Sequence, residues 1–81
     1  MYLAVTAVEP LEDYQLLLTF ENGEKRIFDI KPYLDKGIFR ELKDEKMFRT
    51  VRVSFDSIEW SNQADIDPEV LYEESKAYQP I

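Results

Sequence analysis

Tyr14-Gln15-Leu16-Leu17-Leu18-Thr19-Phe20-Glu21-Asn22-Gly23-Glu24-Lys25-Arg26-Ile27-Phe28-Asp29-Ile30 is two runs of strand-forming residues joined by the strongest short-range hairpin signal a sequence offers. Asn-Gly reverses a chain readily because both residues tolerate positive φ. Two registers compete. A two-residue loop pairs Leu18 with Ile27, whereas a three-residue loop with a glycine bulge pairs Leu16 with Phe28. The bulged form gathers Leu16, Leu18, Phe20, Phe28 and Ile30 on one face, the better apolar surface, and is the form expected. Leu17 and Ile27 then share the other face and need partial cover.

Upstream, Leu3 to Val8 is a further run of β-formers, set off by Glu9-Pro10-Leu11-Glu12-Asp13, which has the composition of a turn. Downstream, Pro32 can open a first helical turn, but Gly37 limits this stretch to short pieces. Ile38-Phe39-Arg40-Glu41-Leu42 offers one apolar side, and Asp44 is placed to cap a turn through Met47-Phe48. From Val51 the period becomes two. If Asp56-Ser57 is a two-residue turn, Phe55 faces Ile58 and Val53 faces Trp60, and five large side chains share one face. Asp67-Pro68-Glu69 is a helix start, since Asp accepts orphan amide bonds and Pro fits the first helical position. That helix should run to about Lys76, with Val70, Leu71 and Tyr78 reaching the core and Glu73, Glu74 and Lys76 wet.

The fold class expected is therefore α+β: a small antiparallel sheet of hairpins with short helices and a C-terminal helix, one domain over residues 1–81. Hydrophobic content of 44%, with five Phe, five Tyr and one Trp, suffices for a single modest core despite 33% charged residues. No apolar run approaches the roughly 20 residues of a membrane span, and Met1-Tyr2-Leu3-Ala4-Val5-Thr6 lacks the organisation of a signal peptide. A cytoplasmic location without membrane association is expected.

Cys and His are both absent. That removes disulfides, thiolates, the commonest metal ligand and the commonest general base. Glycines stand only at 23 and 37, so neither phosphate-cradling glycine motif can exist. Ser54, Ser57, Ser61 and Ser75 have no histidine to activate them and no nucleophile elbow. The alternating acids Asp65, Asp67 and Glu69 look at first like a calcium loop. They fail as one: the mid-loop glycine is missing, Pro68 intrudes, and the twelfth position is Lys76. No pair of carboxylates is selected across a cleft for glycoside chemistry. No cofactor, metal site or catalytic residue is expected.

The net charge of −7 is unevenly spread. Residues 1–24 carry five acids and no base, 25–52 nine bases against five acids, and 56–81 seven acids against Lys76. An acidic chain repels phosphate backbones, so direct nucleic-acid binding is not expected unless the middle folds into one exposed patch.

Phe20-Glu21-Asn22-Gly23, Leu42-Lys43-Asp44 with Phe48, and above all Ile58-Glu59-Trp60, Asn62, Asp65-Ile66-Asp67-Pro68-Glu69 and Leu71-Tyr72 together resemble the small bacterial domain of unknown function family 2442. The likeness spans nearly the whole chain. It departs at Ser61, where proline is common, and at Gln63, where glycine is common. The resemblance implies a compact α+β fold and no established enzymatic activity. It also implies an antitoxin-like or regulatory role, because genes of this family often lie beside small toxin-like proteins. Some relatives carry an appended helix-turn-helix domain, for which a chain ending at Ile81 is expected to leave no room.

The leading functional expectation is a protein-interaction module engaging a basic protein, with Trp60, Asn62, Asp65, Asp67, Glu69 and Tyr72 as the candidate interaction surface. A different class is a small-ligand or metal-dependent enzyme with its site between Trp60 and Glu69. A third is a structural homo-oligomeric unit joined by a strand edge or by the Leu17–Ile27 face.

Overall fold

The structure, a computed structural model, describes residues 2–78. Strand β1 (Val5–Pro10) and strand β2 (Gln15–Phe20) are joined by a short 3-10 turn, Glu12–Tyr14, in which Asp13 and Tyr14 take φ of 61° and 58°. Strand β3 (Lys25–Asp29) returns antiparallel to β2. Leu16 pairs with Phe28 and Leu17 with Ile27, as the bulged hairpin requires. Of the two loop residues it is Gly23 alone that takes positive φ, at 84°, while the Asn22 side chain accepts the Glu24 amide.

Alternation then does the sorting. Leu16, Leu18, Phe20, Phe28 and Ile30 are all buried, and Leu17 and Ile27 sit half-buried on the opposite face. A 3-10 turn at Lys31–Tyr33 opened by Pro32 and a longer one at Gly37–Lys43 cross the inner face, followed by helix α1 (Glu45–Phe48). Asp44 caps α1 by accepting the Lys46 amide at 3.1 Å, and Leu42 and Phe48 enter the core.

A second sheet holds strand β4 (Arg52–Ser54), strand β5 (Ser57–Glu59) and strand β6 (Asp65–Ile66), in that order. The hairpin of β4 and β5 is present, but its register corrects the expectation. The turn residues are Phe55 and Asp56, at φ of 49° and 68°, and Ser54 pairs with Ser57, Val53 with Ile58 and Arg52 with Glu59. Shifting a two-residue turn back by one position reverses which side chains oppose each other. Phe55 is consequently 98% exposed and Val53 38%, so the five-residue apolar face does not form. Ile58 and Trp60 are the members of it that bury fully, Val51 packs at the core edge, and the buried Ser57 hydroxyl donates to the Ile66 carbonyl.

Helix α2 (Pro68–Glu74) starts at the expected proline, capped by Asp67, but stops two residues short of Lys76. The chain extends instead into strand β7 (Lys76–Ala77), which pairs with β3 and completes a four-stranded sheet ordered β1-β2-β3-β7. Leu71 is fully buried and Val70 packs at the core edge, whereas Tyr78, expected inside, is 41% exposed. The reason is parity. The Tyr78 amide donates to the Lys25 carbonyl, which continues the β7 pairing and sets Tyr78 on the outer face of the sheet.

Candidate interaction surface

The stretch from Trp60 to Tyr72 divides by depth. Trp60 is 0% exposed, its indole N–H donates to the Phe48 carbonyl at 2.9 Å, and the Phe39 ring stands edge-on to it. It is a core anchor and leaves the candidate surface, because the parity that buries Ile58 buries Trp60 with it. Asn62 is a clamp. Its Oδ1 accepts the Ala64 amide at 3.1 Å while its Nδ2 donates to Glu41 Oε1 at 3.1 Å, tying the turn after β5 to the 3-10 segment.

Tyr72 is held by a network that sequence reasoning missed. The Arg26 guanidinium lies 4.4 Å over its ring, donates to Glu24 at 2.6 Å, and bonds both the hydroxyl and the carbonyl of Ser75 at 2.7 Å. The Tyr72 hydroxyl donates to Glu24 at 2.9 Å. These contacts hold the Glu24 carboxyl below its usual value, with the Arg26 hydrogen bond the largest cause, and the hydrogen bond to Glu24 pushes the Tyr72 phenol up against the opposing Arg26 charge. Charge-assisted bonds of this kind fasten α2 to the first hairpin. Nothing in local spacing joins residues 24, 26, 72 and 75; only the fold does.

The remaining candidates line two concavities. Asp65 and Asp67 lie in one of about 340 Å³, with Glu59 and Phe55 at its margin and Ile58, Ile66 and Pro68 in its wall. Glu69 and Tyr72 lie in another of about 320 Å³, with Tyr2, Leu3 and Glu73. Tyr2 reaches from the second concavity to the Phe55–Asp56 turn, where its hydroxyl donates to Asp56 at 3.3 Å. The Asp56 carboxylate, and beyond it Asp67 and Glu21, raise the Tyr2 phenol above its ordinary value.

Ion pairs are denser along the basic middle of the chain than on this side. In the basic stretch 25–52, five of the nine cations are held by carboxylates: Arg26 by Glu24, Lys31 by Asp13, Lys43 by Asp35, Arg49 by Glu45 and Arg52 by Glu59. Among the described residues Lys25, Lys36, Arg40 and Lys46 form no ion pair, so the middle of the chain is about half neutralised locally. Among the described residues no lysine or arginine forms an ion pair with Asp56, Asp65, Asp67, Glu69 or Glu73. Asp65 even faces Glu59 directly across β5 and β6. Like charges in that position repel and destabilise the pairing.

Residues 5–77 match the family model described as "Protein of unknown function (DUF2442)". The chain belongs to that family. Comparisons with curated proteins and with solved structures each gave no match. Within this DUF2442 domain, the closing block that carries the resemblance is thus partly scaffold, through Trp60, Asn62 and the Asp67 cap, and partly acidic surface. Among the described residues no group of three or more acidic side chains converges to hold a metal ion, and no helix is long and apolar enough to cross a membrane. Phe55, Tyr2, Asp56 and Glu73 join the surface unforeseen. A phenylalanine at positive φ leaves no sequence signal, because the turn chemistry that would have announced it is Asn-Gly.

Proposed function

We propose that this DUF2442 domain is a protein-interaction module that docks a basic partner protein, as an antitoxin or regulatory subunit would, through the side bearing Phe55, Asp56, Asp65, Asp67, Glu69 and Glu73. The observation that carries the reading is a local gathering of acids: Asp65, Asp67, Glu69 and Glu73, none of them ion-paired among the described residues, line two concavities. Two further features support it. Phe55 combines near-total exposure with a left-handed backbone that costs an L-residue about 1–2 kcal/mol. The Glu59–Asp65 opposition adds a second local cost. Stability alone would remove both, and binding explains their presence. Phe55 would serve as the desolvated anchor, and the surrounding acids would steer a lysine- and arginine-bearing partner and fix its register.

The test is capture of a basic protein from the native host by the tagged chain, read at two salt concentrations. Retention at about 0.05 M salt with release at about 0.5 M is expected, because surface charges are screened over that range. Asp65→Lys with Glu73→Lys, and separately Phe55→Ala, should each lose the captured protein. Capture indifferent to salt and to these substitutions would contradict the reading. A melting temperature raised by magnesium or calcium would favour the metal-dependent alternative instead.

A further inference from the structure

The outer face of the four-stranded sheet is open. Its central row runs Glu9, Leu17, Ile27, Lys76 across β1, β2, β3 and β7. The next row runs Ala7, Thr19, Lys25, closed by Tyr78 through its backbone bond to Lys25. Leu17 and Ile27 are not part of the core cluster, and α2 lies on the other face, where Tyr72 meets Phe20 edge-on at 5.2 Å. Among the described residues, Glu9, Lys25 and Lys76 form no ion pair.

We infer that this face is the interface with a second copy of the same chain, packed sheet on sheet about a two-fold axis parallel to the strands and lying between β2 and β3. The rows select that occupant. Each is acidic or small at the β1 end and basic or large at the β7 end, and the proposed axis exchanges β1 with β7 and β2 with β3. Glu9 of one copy then meets Lys76 of the other, Leu17 meets Ile27, Ala7 meets Tyr78, and the Lys25 ammonium lies over the Thr19 hydroxyl, which can accept from it. Opposite charge meets opposite charge, apolar meets apolar and small meets large, each twice, which is the self-complementarity an isologous interface demands. An axis across the strands would instead set Glu9 on Glu9 and Lys76 on Lys76. The strands of the two sheets stay nearly aligned, as in ordinary face-to-face packing of twisted sheets.

This interface is distinct from the acidic side, so the two readings stand or fall separately. A dimer leaves the acidic side uncovered and displays it twice, which strengthens binding to a partner with more than one basic site through effective concentration.

Sedimentation equilibrium on the full chain over a wide concentration range tests the inference. The wild-type protein should reach the mass of two chains, and Ile27→Asp should hold it at one. Glu9→Lys and Lys76→Glu should each weaken the dimer about tenfold, and their combination should restore it to within about threefold of wild type. The charge pair serves as the second variant should Ile27→Asp disturb folding. A wild-type chain that stays at the mass of one copy throughout would overturn the proposal. So would a dimer that neither charge reversal weakens, or one that the double reversal fails to restore.

Discussion

The two hairpins of this molecule solve the same problem with different materials. At the tip of the first, Gly23 takes φ of 84°, where a side chain would be strained, and the polar residues Glu21, Asn22 and Glu24 surround it. At the tip of the second, Phe55 and Asp56 take φ of 49° and 68° with no glycine at all, and the phenylalanine ring stands almost wholly in solvent. Five buried side chains set the first register, whereas the second pairs over only three residues and gives its inner face chiefly to Ile58. The first hairpin is built as folding would have it. The second keeps a shape that folding does not favour, next to Asp56 and Asp65, which form no ion pair among the described residues. Asp13, Tyr14 and Gln63 also take positive φ, but only at Phe55 does that strain coincide with a large apolar ring in solvent, the combination on which the proposed docking role rests.

The contrast can be pressed hardest within the second hairpin itself. Trp60→Ala should cost about 4 kcal/mol or prevent folding, through the lost indole packing and the orphaned Phe48 carbonyl. Phe55→Ala, five residues away, should move stability by no more than about 0.5 kcal/mol in the same urea titration. On the first hairpin, Arg26→Ala should cost about 2 kcal/mol, since the guanidinium joins Glu24 to Ser75 and covers the Tyr72 ring. Gly23→Ala should cost about 1 kcal/mol. No atom lies within 4 Å of the added methyl, so that cost would be conformational alone.

The smallest effect concerns alkali. Burial first, and then the hydrogen bond to Glu74, raise the Tyr33 phenol from 10.0 to about 12. A raised folded-state value means the contribution is complete below pH 10.0 and lost as pH climbs towards about 12. Tyr33→Phe should therefore show a shallower alkaline fall in denaturation midpoint than the wild type.

Much of the scaffold was legible in the sequence because it rests on strong local signals. Alternation and the bulge chose the Leu16–Phe28 register, Asp44 and Asp67 announced their helices, and Pro32 and Pro68 marked first turns. Three things were not legible. Strand β7 is two residues long and exists through its pairing with β3, so no propensity in Lys76-Ala77 could declare it. The second turn used residues that normally avoid positive φ, which moved every partner by one position. The acidic surface was half legible: Asp65, Asp67 and Glu69 were singled out, whereas Phe55, Tyr2 and Glu73 reach it through long-range folding. Gln63 belongs with these. It sits at φ of 74°, a conformation that suits glycine better than a residue with a side chain.

One denaturation midpoint decides what the Phe55–Asp56 turn is for: that of the double substitution Phe55→Asn with Asp56→Gly. Replacing the turn pair by the residues best suited to its positive φ angles should raise stability by about 1–2 kcal/mol, since the relieved strain outweighs the one exposed 3.3 Å hydrogen bond that Asp56 accepts from Tyr2. A midpoint equal to or below that of the wild type would mean that Phe55 and Asp56 serve the fold, and would contradict the claim that this corner is kept for a partner.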